Sequence, residues 1–430
     1  MLLVHASQLL TLAGGPQRGT DLGRLGILSD GAVLFREGTI LEVGASTDLL
    51  MRFPHEPVLD AHGKAVLPGF VDPHTHAVWA GDRVNEFDLR LQGKSYMEIM
   101  AAGGGINATV HATRSASDTS LLNQTRRRLQ AMFHFGTTTA EIKSGYGLTT
   151  AAELAELGII LDLHREGPMD LTATFLGAHA IPSEYTGNTG AYVELIIREM
   201  LPAVLTWWKD HAGQTALPFV DVFCEAGVFD LDQTRAILTA ARSFGFPLKL
   251  HVDEFENLGG ATLAVEVGAA SADHLVKTSP ADILHLANSP TVAVVLPCTP
   301  FGLGSHEYPP AKEILAAGGL LALATDLNPG TAWCENMQFV LALACRMLGL
   351  TPAQAVAAAT INAAAALQLA DQIGSLEPGK QADMLILSVE DYRHLAYRFG
   401  GSLVQTVIKK GRVYPQTEGI QANDADIGTR

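Results

Sequence analysis

Eight short apolar segments with β-like composition recur through the middle of this 430-residue chain. Most of them are followed by a stretch with helical spacing of apolar residues, for example 118–135, 150–166 and 231–244. The eight segments cover 65–76, 137–147, 171–180, 218–229, 247–255, 271–275, 291–297 and 320–330. This alternation predicts an α/β fold, a parallel (β/α)8 TIM-like barrel. An open doubly wound sheet would also alternate, but no GxGxxG follows the first strand, which disfavours the dinucleotide-binding version.

The two ends of the chain differ from the middle. Residues 1–65 and 371–415 contain short β-like runs broken by glycine and aspartate, such as LLVHA and ADMLILSV. We therefore expect residues 66–370 to form the barrel and both flanking regions to fold together into a small β-sandwich domain. An Ala-rich helix is expected from Thr351-Pro352 to about residue 370. Residues 416–430 are polar, and we expect a flexible tail there.

Composition excludes several classes of protein. Hydrophobic residues make up 47% of the chain and charged residues 17%, which excludes a disordered chain. The net charge of −16 makes nucleic acid and anionic membranes poor partners. No window approaches the 18 consecutive apolar residues of a transmembrane helix. The four cysteines form no CxxC pair, which favours reduced thiols, so we expect a cytoplasmic protein.

Histidines and carboxylates follow the predicted strands at the end of the barrel where catalytic groups of such barrels lie. His74 and His76 stand two residues apart, so their imidazoles share one face of a strand and can reach one ion. His251 follows the fifth strand and Asp326 the eighth, which offers a third nitrogen and an oxygen. This donor set predicts an open catalytic metal site with a bound water whose pKa the ion lowers.

Three residues at the same strand ends suit proton transfer. Asp326 could accept the proton of the attacking water, and His274 could orient the hydroxide or stabilise negative charge on the attacked group. Glu254, three residues after His251, could deliver a proton to a leaving nitrogen. Lys143 leaves two alternatives open: a carbamylated lysine bridging two metal ions, or a lysine in a structural ion pair or near the substrate. A bridging lysine of this kind usually comes from the fourth strand, which has none here, so we favour a single ion.

The segments PGFVDPHTH, EIKSGYGL, FLGAHAIP, HVDEF and ATDLNPGT resemble the amidohydrolase superfamily, and the resemblance covers nearly the whole chain. It implies one divalent or trivalent metal ion per subunit, zinc or iron, held by His74, His76, His251 and Asp326. It also implies hydrolysis of the cyclic amide of 4-imidazolone-5-propanoate to N-formimidoyl-L-glutamate, a step of histidine degradation. The protein would be a homodimer with a small anionic substrate.

The resemblance further implies which residues bind that substrate. These are Arg83, Tyr96, Tyr146, His179, Glu254, Asn328, Gly330 and Thr331. Arg83 would hold the propanoate carboxylate, because a guanidinium offers that group a two-pronged match. Tyr96 lies in a loop that could cover the site. Glu254, His274 and Asp326 would be the catalytic residues.

Two other functions fit parts of the same pattern. A deaminase of the same superfamily, acting on a nucleobase-like ring, would use the same histidines and carboxylates. Such an enzyme has no need of Arg83 or of the SGYG and NPGT segments. A non-catalytic barrel that serves in assembly predicts missing ligands, whereas all four ligand positions are filled here.

Overall fold

The centre of the chain forms one sheet of eight parallel strands in the computed structural model, which describes residues 1–94, 98 and 104–416. We number these strands in chain order: β1 Phe70–Asp72, β2 Thr137–Lys143, β3 Asp170–Ala178, β4 Phe219–Cys224, β5 Lys249–Val252, β6 Ser271–His274, β7 Val292–Val295 and β8 Leu321–Leu323. Each strand pairs in parallel with the next, and a parallel bridge between Thr75 and Leu327 brings the first strand to the last. The predicted (β/α)8 barrel is confirmed.

Helices fill most of the connections between strands, because their apolar faces pack against the sheet. In the described residues the α-helices span Ser46–Arg52, Val84–Leu91, Ile106–Ser115, Asp118–His134, Thr150–Glu166, Thr189–Leu195, Leu201–His211, Leu231–Ser243, Gly260–Glu266, Pro280–Ala287, Cys298–Leu303, Ala311–Ala316, Met337–Met347, Pro352–Ala358, Ile361–Ala366 and His394–Tyr397. Shorter 3-10 turns span Gly19–Asp21 and Ser183–Tyr185, and a π-helical turn spans Ile196–Met200.

The Ala-rich helix begins as predicted but does not run unbroken to residue 370. Thr351 caps it by accepting a hydrogen bond from the Gln354 backbone N–H, with Pro352 in the first turn. The chain leaves helical geometry at Thr360, whose φ is −129° and ψ −94°. The Thr360 hydroxyl donates to the Val356 carbonyl at 2.7 Å, so a side chain supplies the bond that the helix would have made.

Both chain ends contribute to two further sheets. One has strands Thr39–Ala45, Gly31–Arg36, Leu2–Ala6 and Val58–Asp60 in that order. The other has strands Arg412–Pro415, Val404–Lys409, Met384–Leu387, Val66–Pro68, Leu9–Leu10 and Ile27–Leu28. Leu3 and Val33 from the first sheet share one buried cluster with Met384 and Ile408 from the second. The sheets therefore pack face to face around an apolar core of their own.

The first predicted strand segment, 65–76, is divided between two sheets at Gly69. Val66–Pro68 pairs with the strand near the C-terminus, whereas Phe70 begins β1 of the barrel. A Cβ added to Gly69 would lie 2.2 Å from Thr138 Oγ1, closer than any side chain can approach. Only glycine lets the chain pass so close to β2 as it crosses from one sheet to the other.

Two expectations fall on residues that the structure does not describe. The predicted tail lies beyond residue 416, and Tyr96 belongs to the undescribed stretch before residue 104. Within the described ranges, no helix is both long and apolar enough to cross a bilayer. All four cysteines are free thiols.

Candidate active site

The predicted metal ligands come together at the carboxyl end of the barrel. His76 Nε2 lies 3.3 Å from the Nε2 atoms of both His74 and His251. Asp326 Oδ1 lies 3.5 Å from His74 Nε2 and 3.6 Å from His76 Nε2, and all four side chains are buried. Ligand atoms bound tetrahedrally at ~2.0–2.1 Å from one ion are about 3.4 Å apart. These four separations therefore fit a single metal ion.

Two of these histidines lie beside buried carboxylates, and His74 is hydrogen-bonded to its neighbour. Asp273 Oδ2 lies 2.7 Å from His74 Nδ1, and Asp221 Oδ2 lies 2.9 Å from His251 Nδ1. A proton held on Nδ1 by a carboxylate leaves Nε2 free to bind a metal. Burial also lowers the pKa of His74 well below its ordinary value, which favours the neutral form that a ligand requires. Sequence reasoning assigned no role to Asp221 or Asp273.

Lys143 lies beneath the ligands in a buried ion-pair network. Its Nζ is 2.6 Å from Glu141 Oε1 and 2.8 Å from Asp221 Oδ2. A second buried lysine, Lys249, has its Nζ 3.5 Å from Asp273 Oδ2. Burial alone would lower the pKa of Lys143, but Asp221 and Glu141 raise it above its ordinary value. An amine that stays protonated is a poor nucleophile for carbamylation, so this geometry favours the ion-pair alternative.

The three candidate catalytic side chains line one cavity. Glu254 Oε2 lies 3.7 Å from His274 Nδ1, and Thr299 Oγ1 donates to Asp326 Oδ2 at 2.5 Å. Burial raises the pKa of Asp326 to about 6. Burial and the nearby Asp326 raise the pKa of Glu254 well above its ordinary value, and burial lowers that of His274. Burial thus opposes ionisation of both carboxyl groups and protonation of the His274 imidazole.

Backbone conformation at the strand ends helps to place these groups. Asp253, His274 and Asp326 have φ values of 55°, 81° and 55°, in the left-handed region that side chains rarely adopt. A left-handed residue ends the strand abruptly, so the next side chains fall at the mouth of the barrel. Strained backbone of this kind is concentrated at functional sites.

A cavity of about 700 Å³ opens above the candidate ligands. Every predicted substrate-binding residue that the structure describes lines it: Arg83, Tyr146, His179, Glu254, Asn328, Gly330 and Thr331. Predicted residues that follow β1, β2, β3, β5 and β8 therefore meet in one space, of a size that suits a small molecule. Arg90, which sequence reasoning did not select, lines the same cavity. Its spacing of seven residues from Arg83 could have indicated a shared helix face.

The two arginines approach the cavity beside Gly330. Arg83 Nε donates to Thr109 Oγ1 at 2.9 Å, and Arg90 Nη2 donates to the Gly330 carbonyl at 3.2 Å. A Cβ on Gly330 would lie 2.5 Å from Arg83 Nη1, so the missing side chain makes room for the guanidinium. Asn328 Oδ1 accepts from the backbone N–H groups of Gly330 and Thr331 at 2.8 and 2.9 Å. This turn holds the loop after β8 against the arginines.

His179 lies between the metal ligands and the aromatic wall of the cavity. Its ring stacks on His76 with centroids 4.7 Å apart and planes 14° apart, and Tyr146 is 5.2 Å away. His179 Nδ1 lies 3.0 Å from the Gly145 carbonyl and can only donate to it. Burial lowers the pKa of His179 to about 3, so the ring is neutral and its Nε2 is an acceptor.

Comparison with known proteins first defines the class. A model of the amidohydrolase family matches residues 65–414, which is most of the chain. Solved structures share the fold: E. coli guanine deaminase has a TM-score of 0.70 at 17% identity and covers 97% of this chain and 100% of its own. A 5-methylcytosine deaminase from Klebsiella pneumoniae has a TM-score of 0.71 at 18% identity, with 98% of each chain covered. The chain belongs to the amidohydrolase family.

Several curated relatives are far more similar in sequence, at 43–51% identity, and are named imidazolonepropionase. The imidazolonepropionase of Herpetosiphon aurantiacus is 51% identical over 95% of this chain and 97% of its own length. That of Chloroflexus aggregans is 48% identical over 97% of this chain and 99% of its own. Within the amidohydrolases, the relatives place the chain with the imidazolonepropionases. The deaminases, at 17–18% identity, show a common fold alone.

Proposed function

We propose that this chain hydrolyses the cyclic amide of 4-imidazolone-5-propanoate to N-formimidoyl-L-glutamate in histidine degradation. One observation carries the proposal: the imidazoles of His74, His76 and His251 and the Asp326 carboxylate converge at a cavity bearing two arginines. The first part suits hydrolysis of an amide, and the second suits a substrate with a carboxylate. Full-length similarity to imidazolonepropionases supports the same substrate.

His74, His76, His251 and Asp326 would hold one metal ion, for which we propose zinc or iron. When bound, such an ion lowers the pKa of water toward neutrality and so makes hydroxide available. Imidazole nitrogens and one carboxylate suit either metal, and supply in the cell would decide between them. The lowered pKa of His74 and the carboxylates beside His74 and His251 fit this role.

The three candidate catalytic side chains accept protons, donate protons or donate a hydrogen bond. Asp326, with a pKa of about 6, can accept the proton released by the attacking water and pass it on near neutral pH. Burial raises the pKa of Glu254 and so favours its protonated form, which can deliver a proton to the nitrogen that leaves. His274 offers its N–H to the carbonyl oxygen as negative charge develops there.

The substrate would lie with its carboxylate toward Arg83 and its ring toward His179. The guanidinium of Arg83 matches a carboxylate through two parallel hydrogen bonds. The unprotonated Nε2 of His179 can accept from a ring N–H. A negatively charged substrate is thus accommodated inside a protein whose net charge is −16. We further propose a cytoplasmic homodimer, in line with the four free cysteines for the location and the resemblance for the assembly.

The proposal is tested by incubating the metal-loaded protein with 4-imidazolone-5-propanoate. We expect loss of the imidazolone absorbance without ammonia release, and about one metal ion per chain. An imidazolone that lacks the propanoate should react much more slowly, because it makes no contact with Arg83. Turnover of cytosine or guanine with ammonia release, and none of the imidazolone, would refute the proposal in favour of a deaminase.

A further inference from the structure

Glu225 is a buried carboxylate at the end of β4 that the mechanism above does not use. Its side chain is 3% exposed and lies at the wall of the cavity. Glu225 Oε1 accepts from the backbone N–H groups of Ala226 at 2.9 Å and Glu256 at 3.1 Å. Its Oε2 accepts from the Phe255 N–H at 2.9 Å. One carboxylate therefore ties the loop after β5 to the end of β4.

The β4 end of this tie is rigid. The Glu225 backbone N–H donates to the Phe229 carbonyl at 3.0 Å, and its carbonyl accepts from Val228 at 3.0 Å. A parallel bridge joins Cys224 to Phe229 directly beyond β4. Because the turn is closed by its own backbone, the Glu225 carboxylate is a fixed anchor for whatever binds it.

The residue held in place by this anchor is Glu254. Its two successors in the chain, Phe255 and Glu256, both donate their backbone N–H groups to Glu225. Its predecessor, Asp253, accepts from Thr278 Oγ1 at 2.8 Å. The Glu254 backbone is thus held on both sides, by Asp253 and by Glu225.

We propose that Glu225 is a positioning residue that holds the Glu254 carboxyl group where it can deliver a proton to the leaving nitrogen. This inference rests on the proposed function, in which Glu254 protonates the leaving nitrogen. A carboxylate is required because both oxygens accept, from three N–H groups in total. A glutamine would turn an N–H₂ group toward at least one N–H donor, so the loop would have to shift. A displacement of about 1 Å at a reacting group can cost roughly 100-fold in rate.

The test is a double-mutant cycle of Glu225→Gln and Glu254→Gln with 4-imidazolone-5-propanoate as substrate. Glu225→Gln should lower kcat about 10- to 100-fold, with KM within about twofold of wild type and metal content unchanged. In the Glu254→Gln background, Glu225→Gln should lower kcat by less than about twofold, because the carboxyl group that Glu225 positions is no longer present. Glu266→Gln, at an exposed helix end where the residue pairs with Arg235, is the matched control.

Three results would overturn the inference. They are wild-type kcat in Glu225→Gln, loss of metal or a rise in KM that accounts for the defect, and full additivity with Glu254→Gln. If Glu225→Gln does not fold, Glu225→Asp keeps the charge, shortens the reach by one methylene and is held to the same criteria. Absence of wild-type turnover would refute the proposed function before any variant is compared, so the two failures are distinguishable.

Discussion

Replacement of Lys143 by methionine tests the buried ion-pair network beneath the candidate metal site. The ammonium lies 2.6 Å from Glu141 Oε1 and 2.8 Å from Asp221 Oδ2, and all three side chains are fully buried. Methionine fills a similar volume but removes the nearest cation from both carboxylates, although Lys249 Nζ stays 3.7 Å from Glu141 Oε1. Breaking a buried pair by removing one partner costs about 3–5 kcal/mol, because the remaining charge stays desolvated.

This cost converts into a measurable shift of the unfolding midpoint. An unfolding entropy of about 2.1 cal/mol/K per residue amounts to about 0.9 kcal/mol/K for a chain of 430 residues. The midpoint should therefore fall by about 3–6 °C in thermal unfolding followed by circular dichroism. Lys209→Met, at the exposed end of the helix Leu201–His211, is the control and should change the midpoint by less than about 1 °C.

Two results would refute this reasoning. A Lys143→Met midpoint within about 1 °C of wild type would show that the two carboxylates do not depend on the ammonium. Two metal ions per wild-type chain would support the bridging role of a carbamylated Lys143 instead. The metal content of both proteins is measured in the same experiment.

Three further substitutions test other contacts. Asp273→Asn removes the carboxylate 2.7 Å from His74 Nδ1 and should weaken metal binding about 10- to 100-fold in a chelator competition; an unchanged Kd would contradict the orienting role. Gly330→Ala places a methyl group 2.5 Å from Arg83 Nη1 and should displace the guanidinium from the substrate carboxylate. Initial-rate measurements should therefore show KM raised about tenfold with kcat nearly constant. Burial opposes ionisation of Asp170, but nearby lysine ammonium groups lower its pKa to about 2 from 3.8. Ionised Asp170 therefore contributes about 2 kcal/mol to the free energy of unfolding above pH 4, and this contribution is lost as the pH falls through 2. The free energy of unfolding measured in urea should be lower for Asp170→Asn at pH 7 and converge with wild type near pH 2; a constant difference would count against the ion pair.

The barrel and the ligand positions could be predicted because their signals are local. Each strand can be recognised in the sequence as an apolar run. The pairing of parallel strands in sequence order follows from the helices between them. His74 and His76 share a face simply because side chains alternate along a strand. A strand end marks the active face of any such barrel, so His251 and Asp326 could be assigned before their distances were known.

The residues that orient this site could not be found in the same way. Asp273 lies across from His251 in the β5–β6 register, yet its carboxylate orients His74, which follows β1, three strands further round the barrel. Asp221 and Lys143 meet at the barrel centre from β4 and β2, which are not neighbours in the sheet. These contacts depend on the closure of the sheet, and no short stretch of sequence encodes that closure.

The sequence by itself determined the fold class, the terminal β regions and the chemical types at each strand end, because hydrophobic periodicity and strand alternation are local properties. Only the tertiary structure decided which of those groups touch. It divided the first apolar run at Gly69, where close packing against Thr138 leaves no room for a side chain. It also placed Glu225 beneath the loop of Glu254. Such contacts arise where strands distant in sequence converge, since barrel closure brings their ends within hydrogen-bond distance.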